Sequence, residues 1–203
     1  MVNINTGVNA YWFSRDGLLG YGTVPTGEIF IFDKADFNKI KNTSWYRCNR
    51  SGDYIKYIGN RHGVCIHRYI IKAPSGYEID HINHNPLDNR KQNLRICTHQ
   101  QNQFNQPPQK NNSSGVTGVS YYAPRNKYRA RIKYNQNDLH LGYYKTFLEA
   151  VQARNEGMRF LFGEYGFYTP APDTPDNIKN IVIEKCSRFI KEASFSFKGA
   201  SNE

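Results

Sequence analysis

Residues 77–106, YEIDHINHNPLDNRKQNLRICTHQQNQFNQ, constrain the fold more than any other part of the chain, because their local signals spell out an order of elements. Alternation of apolar and polar residues predicts a strand near Tyr77–Ile82, and the polar, Pro-containing run after it predicts a loop through Asn83–Gln92. A second strand is expected near Leu94–Thr98. Thr98 followed three residues later by Gln101 has the form of a capping box, so a helix should begin there and stop before Pro107-Pro108. The segment therefore reads as strand, loop, strand, helix.

The same segment carries chemistry. Asp80 and His81 are adjacent, and Asn93 and Asn102 follow. Hydrolysis of a phosphodiester needs an activated water and a positive charge on the phosphoryl and leaving oxygens. A neutral imidazole serves as base near pH 7, and a hard divalent cation supplies the charge. His81 is the candidate base, with Asp80 and Asn102 the candidate metal ligands. Two protein oxygens suit Mg²⁺, which keeps several waters and shares its octahedron with substrate phosphate. Mn²⁺ accepts the same hard ligands and is expected to substitute. Neighbouring strand residues point to opposite faces, so Asp80 and His81 can share a site only if the strand ends or bends there.

DHIN, LDN, NLR and the helix-borne Asn102, in that order across about residues 65–105, resemble the HNH, or ββα-metal, nuclease motif. The resemblance implies that Asn93 fastens the loop between the strands and so aims the base, with Asn89 a rival for part of that task. It implies cleavage to 5′-phosphate and 3′-hydroxyl ends. His67 with Arg68 matches a His-Arg pair found ahead of the motif in phage members of the family. His84 and His99 are candidate supporting residues, and Arg90, Lys91 and Arg95 are candidates to hold the scissile strand. The bland reading of isolated basic residues is solvated surface.

The first 60 residues alternate aromatic and β-branched runs with turn clusters, at Tyr11–Phe13, Glu28–Phe32, Trp45–Cys48 and Tyr54–Ile58. Lys34–Ile40 suits a short helix, and the whole reads as a small antiparallel sheet supporting the motif. Val64–Lys72 reads as a strand passing into a short helical or extended segment. Cys48, Cys65, Cys97 and Cys186 form no CxxC pair, which argues against a disulfide framework and against a structural zinc site.

Gln106–Ser114 is polar and without periodicity, and the sequence restarts after it with a different pattern. Val116–Tyr122, Lys127–Tyr134 and Leu139–Tyr144 read as three strands, followed by a helix over about Phe147–Phe162. Along the middle strand Tyr128, Ala130, Ile132 and Tyr134 should share one face, leaving Arg129, Arg131 and Lys133 in a row on the other. Such a row suits phosphates and base edges in a major groove. Tyr122, Arg125 and Lys127, with Tyr121, are expected to form a rim of backbone contacts. The order Gly118-Val119, Lys127-Tyr128, Leu141-Gly142 and Glu149-Ala150 resembles the plant ethylene-response-factor DNA-binding domain over about residues 114–164. It departs from that family at Ser120 and Tyr122, where Arg is usual, and at His140, where Trp is usual. An amphipathic run with Ile178, Val182, Cys186 and Phe189 near one face suggests a final helix, followed by about ten disordered residues.

The net charge of +10 is unevenly spread, with excesses of +2, +4, +4 and 0 over residues 1–60, 61–112, 113–168 and 169–203. Such a distribution favours a polyanionic partner. No apolar run approaches the length of a membrane span, and the start lacks the form of a secretory signal, so a cytoplasmic protein is expected, in a bacterial host if phage-encoded. The expected fold is α+β: a ββα-metal domain with an N-terminal antiparallel sheet over 1–106, a linker at 107–113, a three-stranded antiparallel sheet packed on one helix over 114–168, and a helix and tail over 169–203. The expected function is a metal-dependent DNA endonuclease of the homing type, acting on double-stranded DNA as a monomer or homodimer. The alternative is a non-cleaving sequence-specific DNA-binding regulator on the same scaffold.

Overall fold

A computed structural model describes residues 4–5, 7–48 and 57–199, with side chains through Glu192. The chain divides into two compact units, residues 1–103 and 104–203.

The first unit opens with an antiparallel sheet in the order β1-β2-β3-β4, formed by β1 (Ile4–Asn5), β2 (Ala10–Phe13), β3 (Leu19–Thr23) and β4 (Ile29–Asp33). Strand β3, Leu-Gly-Tyr-Gly-Thr, escaped the sequence reading because glycine is a poor strand former. Its glycines are what this sheet requires. Gly20 pairs with Phe32 and Gly22 with Phe30, and a Cβ at either glycine would lie 2.4 Å from the facing ring. The rings fill the space over bare backbone, and with Tyr11, Ile40 and Trp45 they form the buried centre of the unit. Buried Asn9 is satisfied there by the Trp45 and Thr23 carbonyls, each 2.9 Å from its amide nitrogen.

A single 3₁₀ turn at Lys34–Asp36 leads into α1 (Phe37–Ile40), where the sequence suggested a short helix. Strands β5 (Tyr46–Cys48) and β6 (Tyr57–Gly59) pair antiparallel; the expected strand start at Tyr54–Lys56 lies outside the described residues. In Val64–Lys72 the expected strand shrinks to an isolated bridge between Cys65 and Gly59, and the expected short helical segment is α2 (Ile66–Ile70), with Ile66, His67 and Ile70 turned inward. A run this short fits either period.

Next comes the hairpin of β7 (Tyr77–His81) and β8 (Leu94–Thr98), followed directly by α3 (His99–Phe104). The capping box is present: the Gln101 backbone N–H donates to Thr98 Oγ1 at 3.2 Å, and the Thr98 N–H donates to Gln101 Oε1 at 2.8 Å.

The second unit contains an antiparallel sheet in the order β11-β10-β9, from β9 (Val119–Tyr122), β10 (Lys127–Tyr134) and β11 (Asn137–Tyr144). Against it lie α4 (Phe147–Phe162) and α5 (Asp176–Gly199). Thr146 and Glu149 form a full capping box at the start of α4. Gly157 lets α4 approach the sheet, since a Cβ there would stand 2.8 Å from Ile132 Cδ1. Helix α4 is buried around most of its circumference because Ile178, Val182 and Cys186 of α5 join the same core. Phe147, expected in the buried stripe, is 37% exposed and packs edge-on against Tyr128. Helix α5 extends to Gly199, through residues expected to be disordered. Among the described residues no helix is long and apolar enough to cross a membrane.

Candidate active site and nucleic-acid interface

Strand β7 ends at His81, so the Asp80-His81 pair occupies the end of a strand. The two side chains take different neighbours. Arg95 faces Asp80 across the hairpin, and its Nε and Nη2 donate to Asp80 Oδ2 at 2.9 and 2.7 Å. Both side chains are nearly buried, at 11% and 8% exposure. His81 packs edge-on against the His67 ring of α2 at 5.1 Å and beside Tyr57 at 6.1 Å.

The Nε2 of His81 lies 3.3 Å from Asn89 Oδ1. With the amide oxygen accepting, Nε2 carries the proton and Nδ1 is the basic nitrogen. Burial lowers the His81 pKa, against the hydrogen bond to Asn89 and the fields of Asp80 and Asp88. The ring is therefore neutral at pH 7, as a general base must be.

The loop that carries Asn89 is anchored at both ends. On the hairpin side, Asn93 ties its two arms together: Oδ1 accepts from the Asn83 N–H at 2.9 Å and Nδ2 donates to the Asp88 carbonyl at 2.8 Å. On the sheet side, β4 has an open edge. The Ile31 N–H donates to the Leu87 carbonyl and the Asn89 N–H donates to the Ile31 carbonyl, both at 2.8 Å. Lys91 N–H adds a bond to Asp33 Oδ2 at 2.8 Å. The N-terminal sheet thus fixes the backbone of the residue that holds His81.

Glu78 lies two residues before Asp80, on the same face of β7. Its Oε2 accepts from Asn102 Nδ2 at 2.6 Å and its Oε1 meets His99 Nδ1 at 2.8 Å. These bonds, Asn102 first, hold the Glu78 carboxyl below its ordinary pKa, with Arg68 adding positive field. Glu78 thereby engages the amide nitrogen of Asn102 and not its oxygen. Asp80 carboxylate and Asn102 amide are hard oxygen donors on one side of the hairpin, a set that fits Mg²⁺ with waters completing the shell. Among the described residues no group of three or more His, Cys, Asp or Glu is gathered to hold a metal. Burial pushes the Cys97 thiol up to about 11, so it stays protonated.

His84 is exposed, at a left-handed backbone position with φ of 61°, and it feels both Asp80 and Arg95. Arg68 is exposed on α2. All three expected strand-holding residues are already committed. Arg90 binds Asp88 through Nε and Nη2 at 2.7 and 2.6 Å, Lys91 Nζ reaches Asp36 Oδ2 at 3.0 Å, and Arg95 binds Asp80 as described. Carboxylates of the folded unit claim these cations more closely than a surface reading allows. Asp88 and Glu78 were missed in the sequence. Alternation backward from Asp80 would have found Glu78, whereas Asp88 acquires its partners only once the loop closes.

In the second unit, the outer sheet face gathers aromatic rings and cations. The guanidinium of Arg129 lies 5.5 Å from the Tyr122 ring centre, and that of Arg125 lies 4.5 Å from Tyr143. Tyr122 and Tyr143 are themselves 5.2 Å apart, and His140 contacts Tyr143 at 4.6 Å. Arg131 and Lys133 are exposed beyond a register shift at Ala130/Arg131, while Ala130 and Ile132 point into the core. Arg131 reaches Asp138 at 3.3 Å in a pair that is half-exposed on both sides and therefore weak. Lys127 is half-buried opposite Tyr122. Tyr121 is not on this rim: it packs against Tyr128 on the opposite face, as its place next to Tyr122 requires. Partial burial lowers the His140 pKa, helped by the positive fields of Lys185, Arg129 and Arg125.

The sequence profile of an HNH endonuclease family matches residues 72–104, which contain the hairpin and α3. "Protein 3.8" of Escherichia phage T7 is 39% identical over 92 residues, covering 45% of this chain and 75% of the phage protein. This chain belongs to the HNH endonuclease family. "Uncharacterized HNH endonuclease L560" of Acanthamoeba polyphaga mimivirus is 33% identical over 132 residues, and the chain spans 66% of its length. No solved structure matches. The HNH match covers the hairpin, its loop and α3, and leaves out Tyr57, His67 and Arg68 and the loop anchors Ile31 and Asp33.

Proposed function

We propose that this HNH protein is a metal-dependent DNA endonuclease of the homing type, in which residues 114–168 act as an ethylene-response-factor-like module that binds duplex DNA. The observation that carries the reading is the buried His81, pinned by Asn89 at the end of a strand whose preceding residue is Asp80. His81 Nδ1 takes the proton of the attacking water. Asn93 keeps the loop closed, so that Asn89 and the imidazole hold their aim. Asp80 and Asn102 would hold a divalent cation, Mg²⁺ in the first instance with Mn²⁺ substituting, with Glu78 engaging the Asn102 nitrogen. When bound, such a cation would supply positive charge to the phosphoryl group and the departing 3′-oxygen. The products are 5′-phosphate and 3′-hydroxyl ends.

In the second unit, Arg129 supports the binding role from a specific position. Its Nε is buried without a hydrogen-bond partner among the described residues, while its guanidinium lies against Tyr122. A phosphate or guanine acceptor would satisfy it. Arg131, Lys133, Arg125 and Lys127 add cations to the same duplex-binding face. One active site cuts one strand per engagement, so a monomer nicks, and a double-strand break needs a homodimer or two successive events.

Supercoiled plasmid incubated with Mg²⁺ should convert to the open circular form, and a chelator should stop it, with mapped ends carrying 5′-phosphate. The second reading, a non-cleaving regulator on the HNH scaffold, draws on one observation: Arg95 already neutralises Asp80. Absence of cutting on plasmid and source genome in both Mg²⁺ and Mn²⁺, with DNA binding intact, would favour that reading over ours.

A further inference from the structure

The Arg95–Asp80 pair has a bearing on when the cation binds. We infer that Arg95 is the resident counter-ion of the metal site, and that it makes divalent-cation binding depend on the phosphate of bound DNA. This rests on the nuclease reading of the site and adds an order to its assembly.

The argument is electrostatic. The cation's proposed ligands bring one negative charge, that of Asp80, because Asn102 is neutral. Arg95 cancels that charge with two N–H donors on a single carboxylate oxygen, at 2.9 and 2.7 Å. The pair is almost fully withdrawn from water, where screening is weak and a fixed guanidinium strongly repels an incoming dication. Glu78 stays ionised nearby, but its two oxygens are engaged by Asn102 and His99, so it is not free to ligate the cation in place of Asp80. In the DNA-free chain the one charged ligand is therefore already matched by Arg95, and the site should hold Mg²⁺ or Mn²⁺ poorly. The scissile phosphate brings the missing negative charge, and it can also accept from the guanidinium if Arg95 turns from Asp80, an exchange for which phosphate geometry is well suited. Cation and DNA then favour each other's binding by the same factor. Such an arrangement keeps the chemistry unassembled until substrate is present.

The test is Mn²⁺ binding to the full chain, read by the paramagnetic resonance of free Mn²⁺ and not by cleavage. Without DNA, Arg95→Gln should bind Mn²⁺ about tenfold or more tightly than wild type, an order-of-magnitude expectation from removing one adjacent cation. Arg95→Lys, which keeps the charge, should resemble wild type, and adding Asp80→Asn to Arg95→Gln should abolish the gain. Affinity in Arg95→Gln equal to or weaker than wild type would overturn the inference. Because removing one partner of a buried pair can unfold a domain, a second measurement leaves the pair intact. On the His81→Ala chain, a short duplex should raise Mn²⁺ affinity about tenfold after subtraction of binding to the duplex alone; an unchanged affinity would also overturn the inference. If wild type nicks plasmid in Mg²⁺ while these results fail, only the counter-ion role falls. If wild type neither nicks nor binds Mn²⁺ with DNA present, the nuclease reading falls with it.

Discussion

The hairpin site and the outer sheet face of the second unit are both rich in cations, yet they hold them in opposite ways. At the hairpin, Arg90 and Arg95 are each clasped by a carboxylate, and the candidate residues His81, Asn93 and Asn102 each have a partner that fixes their direction. On the sheet, Arg125 and Arg129 lie against tyrosine rings, and Arg131 has only a half-exposed acid. Ring faces position a guanidinium and leave its N–H groups available to acceptors. Pair geometry suits chemistry, where the base and ligands must be held to within a fraction of an ångström. Ring geometry suits binding, where cations must remain available for phosphates and bases. On the proposed function, the difference separates a place for cutting from a place for holding DNA.

The largest effect expected from breaking this contrast is at His81. His81→Ala should lower nicking by roughly 10²- to 10⁴-fold, the usual contribution of a general base, while DNA affinity measured by gel shift stays near wild type. Asn93→Ala should cost about 1–3 kcal/mol of stability by leaving buried loop groups unpaired, read as a lower melting temperature together with slower cutting. On the other side of the comparison, the Arg129→Ala, Arg131→Ala double variant should weaken binding across sequences. It should reduce the slope of log affinity against log salt by about 0.9 for each phosphate that is no longer neutralised; an unchanged slope would remove these residues from the interface. The smallest effect concerns pH. Burial lowers the His81 pKa, so the base stays neutral below the usual imidazole range. The acid limb of kcat/KM should accordingly fall below about pH 6.5, and a limb above that value would assign the base elsewhere.

Much of the hairpin was legible because its signals are local. Strands were legible near Tyr77–Ile82 and Leu94–Thr98 on either side of the polar loop, and Thr98 with Gln101 marked the start of α3. The alternation along Lys127–Tyr134 likewise separated buried Ala130 and Ile132 from exposed Arg131 and Lys133. What stayed hidden depends on distant partners. Strand β3 looked too rich in glycine until Phe30 and Phe32 covered its bare backbone. The commitment of Arg95 to Asp80 follows from a register that pairs positions 80 and 95, and the tether from β4 to Asn89 joins residues far apart in the chain. The same limit explains why Arg90 and Arg95 read as free surface cations in the sequence, when the folded loop and hairpin occupy both.

The most direct test of this division of labour is to assay both variants, His81→Ala and the Arg129/Arg131 double alanine, for plasmid nicking in Mg²⁺ and for duplex binding in parallel. The account predicts a crossed result. His81→Ala binds like wild type and does not nick, whereas the double variant binds weakly but still nicks when protein is in large excess. Cutting by His81→Ala at the wild-type rate, or wild-type binding by the double variant, would contradict it.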